Sequence, residues 1–320
     1  MPADQEVNPV IRVASVGECM LELTHRDASS LGLGFGGDTL NTALYIARCA
    51  DPAALAVDYV TALGSDPMSE TMLAAWQAEG IGTARVARLA GRLPGLYLIR
   101  TGDSGERRFF YWRGEAAVRA LFCGAESEPL LAALPGYDAI YFSGITLAVL
   151  APEARSRFYD TLAKARAAGR QVVFDSNFRP ALWPDREAAR RIFADFLSTV
   201  TLALPTFEDE QALFADGDPA ATVRRYRAAG VGEVVVKHGG EGCLVLSAGT
   251  SRSVPVPTPI APLDTTAAGD SFNAGYLAAR LMGADPLRAA SAGHALAGIV
   301  IRHRGAIIPR ADTPTLRELL

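Results

Sequence analysis

The sequence predicts an α/β protein in which a mostly parallel sheet is covered by helices on both faces. Short runs rich in Val, Ile and Phe alternate along the chain with helical stretches of about 10–15 residues, the pattern of strand–helix–strand units. The residues able to do chemistry gather just after those runs, where open parallel sheets hold ligands. With 320 residues, 49% of them hydrophobic and 21% charged, the chain has an ordinary globular composition and room for one large α/β domain or two small ones.

Val10 to Val16 is a short β-branched run and reads as a first buried strand, with a second extended segment from Cys19 to Leu23. Gly32-Leu33-Gly34-Phe35-Gly36-Gly37-Asp38 then precedes a helix over Thr39 to Ala50, where Leu40, Ala43, Leu44 and Ala47 recur at helical spacing. The Gly-Gly pair either exposes backbone to a ligand or is a plain loop-to-helix turn. Val57 to Leu63 is a strand; Asp66 and Pro67 open a helix that runs to about Glu79 and stops at Gly80. Leu96 to Thr101 and Glu106 to Trp112 flank Gly102-Asp103-Ser104-Gly105 as a β-hairpin. It ends in Phe110-Tyr111-Trp112-Arg113, a packed strand with a surface charge when read alone.

Tyr137 to Ser143 is a strand ending at Gly144, and Pro152 to Ala168 a helix stopped by Gly169. Gln171 to Asp175 is a strand running into Asp175-Ser176-Asn177-Phe178-Arg179-Pro180, where an Asp beside an Arg is also compatible with a structural ion pair. A helix follows at about Glu187 to Leu197, then a strand from Thr201 to Pro205 that meets Thr206-Phe207-Glu208-Asp209-Glu210. These acids are either oxygen ligands for a hard cation or a solvated helix start. Glu233 to Lys237 is a strand leading to His238-Gly239-Gly240-Glu241-Gly242, and the last helix spans about Pro286 to Arg302, with His294 inside it.

Asp264-Thr265-Thr266-Ala267-Ala268-Gly269-Asp270-Ser271-Phe272 is the most distinctive stretch, and a helix-forming segment follows it up to Gly283. Small residues at 267 to 269 permit a tight turn with uncovered N–H groups, and the first N–H groups of a helix lack intrahelical partners. Together with the helix dipole they form a seat for phosphate. A carboxylate at that seat is useful as the acceptor of a proton from an attacking hydroxyl; read alone, Asp270 is equally an N-cap.

Formal net charge is −4 with basic residues scattered, which gives no footprint for nucleic acid. Cys19, Cys49, Cys123 and Cys243 show no paired or metal-ligand spacing and read as reduced thiols. No segment reaches the roughly 18 apolar residues of a membrane span, and Met1 to Pro9 is unlike a signal peptide. A cytoplasmic protein without membrane or nucleic-acid partners is the expectation.

The stretch from Asp264 to Phe272 closely resembles the second signature of the ribokinase-like (PfkB-type) sugar kinases. Gly36-Gly37-Asp38-Thr39-Leu40-Asn41 resembles the first, in the form seen in the 2-dehydro-3-deoxygluconate (KDG) kinase branch. Tyr111-Trp112-Arg113-Gly114-Glu115-Ala116-Ala117 and Asp175-x-Asn177-x-Arg179-Pro180-x-Leu182-Trp183 also match that branch, so the resemblance extends from Val10 to Pro309. It implies a single ribokinase-like three-layer α/β/α domain over residues 1–320, with a small β-lid built from excursions at about 18–35 and 93–114.

The resemblance also implies roles. Asp270 is the general base, and Ala267, Ala268 and Gly269 form the anion hole. Gly36, Gly37, Asp38 and Asn41 meet the sugar, with Tyr97, Tyr111, Trp112 and Arg113 of the lid around its acid end. Arg179 meets substrate or phosphate groups. Asn177, Lys237, His238, Gly239, Gly240, Gly242, Ala268 and Gly269 meet the nucleotide, and His294 lies near its adenine. Many relatives hold magnesium through Asn-x-x-Glu; here Thr206 replaces the Asn and Asp209 takes the Glu register, so Asp209 or its neighbour Glu210 is the indirect ligand.

ATP and Mg2+ are the implied cofactors. Asp264 and Thr266 fall where some relatives bind a monovalent cation, and relatives often pair through their lids, which implies a homo-oligomer. The implied reaction is phosphorylation of KDG on its 6-hydroxyl, since Arg suits a carboxylate. A fructokinase or ribokinase acting on a neutral sugar, and a non-catalytic sugar-binding protein, are the alternatives.

Overall fold

Valine-rich runs buried on both faces pair in parallel when helices carry the chain back between them, and this chain does so repeatedly. The computed structural model describes residues 9–25, 27, 29–101 and 107–320. The strands are β1 (Ile11–Val16), β2 (Met20–His25), β3 (Leu31–Gly36), β4 (Leu55–Leu63), β5 (Val86–Arg88), β6 (Gly95–Thr101), β7 (Arg107–Trp112), β8 (Ala139–Ser143), β9 (Gln171–Asp175), β10 (Leu202–Ala203), β11 (Glu233–Lys237), β12 (Cys243–Ser247) and β13 (Thr250–Val254). The helices are α1 (Asp38–Cys49), α2 (Pro67–Ala78), α3 (Glu128–Ala133), α4 (Gly144–Val149), α5 (Pro152–Ala167), α6 (Arg186–Leu197), α7 (Phe207–Phe214), α8 (Pro219–Ala228), α9 (Ala268–Leu281), α10 (Pro286–Val300) and α11 (Leu316–Leu319).

The large sheet has the order β13-β12-β11-β10-β9-β8-β1-β4-β5. It is parallel from β11 through β5, while β12 and β13 close one edge antiparallel. From β1 the chain winds one way through β4 and β5, then the other way from β8 to β11. The order therefore reverses between β1 and β8, and the crevice at such a reversal is where ligands bind. Side chains alternate between two cores: Val13, Tyr141, Val173 and Val235 face α1, α2, α9 and α10, while Val16, Phe142, Phe174 and Val236 face the layer of α4 to α8. In the second core, Phe142 packs on Phe174 and Phe158 at ring distances of 5.1 and 5.3 Å, and Phe193 on Phe174 at 5.3 Å.

The smaller sheet, β3-β2-β6-β7, stands apart as the lid. Its register pairs Tyr97 with Glu22 and with Tyr111, and Leu96 with Trp112. The proposed hairpin turn at 102–105 lies outside the described residues.

Several expectations shift. The segment from Thr201 to Pro205 keeps only Leu202–Ala203 as strand. Gly144 opens α4 rather than merely ending a strand, because the Ser143 and Thr146 side chains form a capping box. Asp66 caps α2 as expected, accepting from the N–H groups of Met68 and Ser69. The antiparallel β12–β13 pair and helix α8 were not among the expectations, although Asp218 and Pro219 open α8 as Asp66 and Pro67 open α2.

Candidate active site

Helix α9 begins at Ala268, after Ala267 adopts a left-handed conformation with φ 59°. That turn puts Asp270 in the first helical turn and not at the N-cap. The Ala268 N–H donates to the Thr265 carbonyl at 3.2 Å, so this expected anion-hole donor is already engaged. Among the described residues no hydrogen bond occupies the N–H groups of Gly269 and Asp270. Two donors and the positive helix end thus converge beside a carboxylate. Burial pushes the Asp270 carboxyl up to about 7; the charge of Asp38 adds to the rise and a hydrogen bond from Asn41 opposes it.

The sugar signature meets this turn directly. Asn41, on α1, donates from Nδ2 to Asp270 Oδ2 at 2.8 Å, and its own buried Oδ1 has no hydrogen-bond partner among the described residues. Asp38, the first residue of α1, is buried and accepts from Asn177 Nδ2 at 2.7 Å; burial raises its carboxyl. Any side chain on Gly37 would collide with the Glu18 carbonyl, and one on Gly36 would crowd the Tyr97 hydroxyl, so glycines here let the lid root approach the loop.

Beneath α9 lies a buried polar network. Lys237 Nζ donates to Asn273 Oδ1 at 2.9 Å and pairs with Asp175 Oδ1 at 3.4 Å. Asn273 donates to Asp175 Oδ2 at 2.8 Å and to the Tyr141 hydroxyl at 3.1 Å. The Thr42 hydroxyl is 3.2 Å from both Tyr141 and the Asp270 carbonyl. Lys237 was expected in the phosphate turn; its ammonium instead sits under the turn, 3.5 Å from where a Cβ on Gly269 would stand. Asn273, Tyr141 and Thr42 escaped the sequence reading. The one available signal was a polar Asn three residues beyond Asp270 in an otherwise apolar helix run.

On the lid, strand alternation puts Tyr97, Tyr111 and Phe109 on one face, with Tyr97 and Tyr111 rings 6.0 Å apart. Arg113 follows β7, its guanidinium 5.8 Å from the Tyr111 ring centre and ion-paired with Glu18. Trp112 points to the opposite face and is 60% exposed, so it does not share a surface with Tyr97 and Tyr111. Its expected sugar contact is corrected by the period-two geometry of the strand.

Asn177, expected at the nucleotide, takes a positive φ of 30° and commits its Nδ2 to Asp38. Arg179 is half-exposed and pairs with Asp209 at 3.3 Å. Burial pushes Asp209 up to about 6 while Arg179 pulls against it. Glu210 turns into the protein: Oε2 takes a hydrogen bond from Arg225 at 2.5 Å and Oε1 from Tyr226 at 2.9 Å. That engagement removes Glu210 from the expected metal role and leaves Asp209.

Among the described residues no group of three or more His, Cys, Asp or Glu side chains is placed to hold a metal ion. Magnesium at Asp209 would therefore depend on phosphate oxygens and water, its usual manner of binding. His238, Gly239, Gly240 and Gly242 form a tight turn with Gly239 at φ 48° and Gly242 at φ 96°, and His238 stacks edge-on with Phe207 at 4.9 Å. His294 packs on Phe272 at 5.0 Å, and its buried Nε2 has no hydrogen-bond partner among the described residues. Asp264 accepts from the Thr266 hydroxyl at 2.7 Å and the Gly305 N–H at 2.7 Å.

A large, mostly parallel sheet covered by helices and a separate small lid sheet are the features by which the chain compares with known proteins. The pfkB family carbohydrate kinases match residues 10–314, and the chain belongs to that family. It is a phosphotransferase of that family. The 2-dehydro-3-deoxygluconokinase of Escherichia coli K12 is 47% identical over 95% of this chain and 99% of its own. That of Dickeya dadantii is 45% identical over 94% and 98%. The crystal structure of a PfkB protein from Polaromonas superposes with a TM-score of 0.82 at 27% identity, covering 97% of this chain and 98% of that one.

Proposed function

We propose that this kinase transfers the γ-phosphoryl group of ATP to the 6-hydroxyl of KDG, giving 2-dehydro-3-deoxy-6-phosphogluconate. The observation that carries the reading is the constellation at α9: the Asp270 carboxyl, held by Asn41, stands beside two uncommitted N–H groups. Asp270 accepts the hydroxyl proton as the sugar oxygen attacks phosphorus and the bond to ADP breaks in line. Gly269 and Asp270 N–H groups take the charge on the transferred oxygens. The buried, unpartnered Asn41 Oδ1 and the carboxylate of Asp38 are the acceptors offered to sugar hydroxyls. Arg113, with Tyr97 and Tyr111, meets the substrate carboxylate. Arg179, Asn177 and the turn at 238–242 receive the nucleotide, and His294 borders its base.

Kinases of this family use ATP with Mg2+. Magnesium would neutralise charge at the phosphates, and Asp209 is the residue that would hold it. A monovalent cation beside Asp264 and Thr266 is a secondary element of the proposal. Among the described residues no helix is long and apolar enough to cross a membrane, and we read the chain as one cytoplasmic kinase domain. The outer lid face exposes Leu31, Leu33, Phe110 and Trp112, an apolar surface suited to a second copy.

The test is ADP release with ATP and magnesium on KDG, its 4-epimer, fructose and ribose, with Asp270→Ala as control. Turnover that favours KDG and vanishes in the variant supports the proposal. Turnover on neutral sugars alone overturns the substrate, and sugar binding without turnover overturns the reaction.

A further inference from the structure

The chain crosses between lid and body four times, and one ion pair links two of those joints, where it enters β2 and where it leaves β7. Glu18 lies between β1 and β2, and Arg113 directly follows β7. Their side chains, 2% and 10% exposed, meet through Arg113 Nη2 and Glu18 Oε2. The Glu18 carbonyl packs against Gly37, so the same residue also abuts the sugar loop. A Cβ on Gly95 would stand 2.9 Å from Glu18 Oε1, so the strand beside the pair leaves it room only by lacking a side chain.

The pair is incompletely matched. Glu18 Oε1 and Arg113 Nε are buried with no hydrogen-bond partner among the described residues. A purely structural buried ion pair gains by satisfying every donor and acceptor, because unmatched buried polar atoms are costly. Nε shares its edge with the Nη2 that Glu18 holds, while Nη1 makes no hydrogen bond among the described residues, so this nitrogen of a group suited to carboxylate recognition stays uncommitted.

We propose that Glu18 is a specificity-determining positioning residue: the resident counter-ion of Arg113, it holds the guanidinium at the sugar cleft and sets by repulsion how tightly an anionic sugar binds there. The inference rests on the acid-sugar reading above. In the empty cleft Glu18 supplies the negative charge that Arg113 needs. When an acid sugar arrives, its carboxylate takes Nη1 of Arg113 and lies near Glu18 across the guanidinium. A neutral sugar leaves the pair untouched.

Two substitutions separate the charge of Glu18 from its grip. Glu18→Gln keeps the shape and an acceptor for Arg113 but removes the competing charge. Glu18→Ala removes both. Calorimetric titration of KDG and fructose into the full chain without ATP measures the result, with thermal melts confirming that each variant folds.

The Gln variant is expected to bind KDG roughly 3- to 10-fold more tightly, the effect of deleting one like charge in partly wet surroundings, with fructose binding unchanged. The Ala variant is expected to bind KDG about 10-fold more weakly, since Arg113 loses its anchor. A Gln variant that binds KDG no more tightly than the native chain overturns the inference, as do variants that shift KDG and fructose alike. Arg113→Met keeps the two readings apart. If it abolishes KDG binding while Glu18→Gln has no effect, the substrate reading stands and this inference falls. If the native chain does not bind KDG, both fall.

Discussion

The network beneath α9 and the joint of the lid handle polarity in opposite ways. Under α9 the chain buries Asp175, Lys237, Asn273 and Tyr141 and pairs them in one continuous network. In the lid it leaves Phe110 and Trp112 in solvent and buries an ion pair with one unmatched atom on each partner. Fully satisfied networks rigidify, and rigid donors are what phosphoryl transfer needs, because charge stabilisation works without reorganisation. In the pair at the lid joint the guanidinium keeps Nη1 without a hydrogen bond among the described residues, a donor left for a ligand. The body is built to hold a geometry, and the lid to receive a group.

The largest effect expected from breaking this contrast is at Asp270. Asp270→Ala should lower kcat by on the order of 10²- to 10⁴-fold with a smaller change in sugar Kd, since a general base acts on the step and less on binding; steady-state kinetics with a sugar titration checks it. Next comes the network. Asn273→Leu leaves Lys237, Asp175 and Tyr141 short of a partner and should cost about 3 kcal/mol of folding stability, read from denaturant unfolding.

A smaller, signed effect concerns pH. With Asp270 pushed up to about 7, kcat/KM should fall as pH drops below about 7 and the base becomes protonated. The same raised group favours the folded state at low pH and loses that contribution as pH rises through about 7. Asp270→Asn should therefore have a higher Tm than the native chain at pH 8, with the difference fading by pH 4. The smallest effect is at Trp112, on the outer face of the lid: Trp112→Ser should leave the KM for sugar within about twofold, as a surface change away from the ligand does, while reducing self-association in sedimentation runs.

The mostly parallel sheet and the strand-end position of Asp175, Asn177 and Arg179 were legible because alternation and glycine-rich turns are local signals. Asn41 and Asp270 lie far apart in sequence, and only the packing of α1 on α9 brings them to 2.8 Å. Glu210 and Trp112 were misplaced for the same reason as each other: each neighbours a residue at the cleft, and one step along a helix or strand turns a side chain to another face. Lys237 sits at the end of β11 beside a glycine turn, and its direction depends on Asn273, which no local pattern ties to it. Glu18 gave no signal because its partner is contributed by the far end of the lid.

The most direct test of the account is the ratio of kcat/KM for KDG to that for fructose, in the native chain and in Arg113→Met. The account predicts a strong native preference for KDG that collapses by about 10²-fold in the variant, the loss expected when a charged partner of a buried carboxylate is removed. A native preference for fructose, or a KDG preference that survives without Arg113, would contradict it.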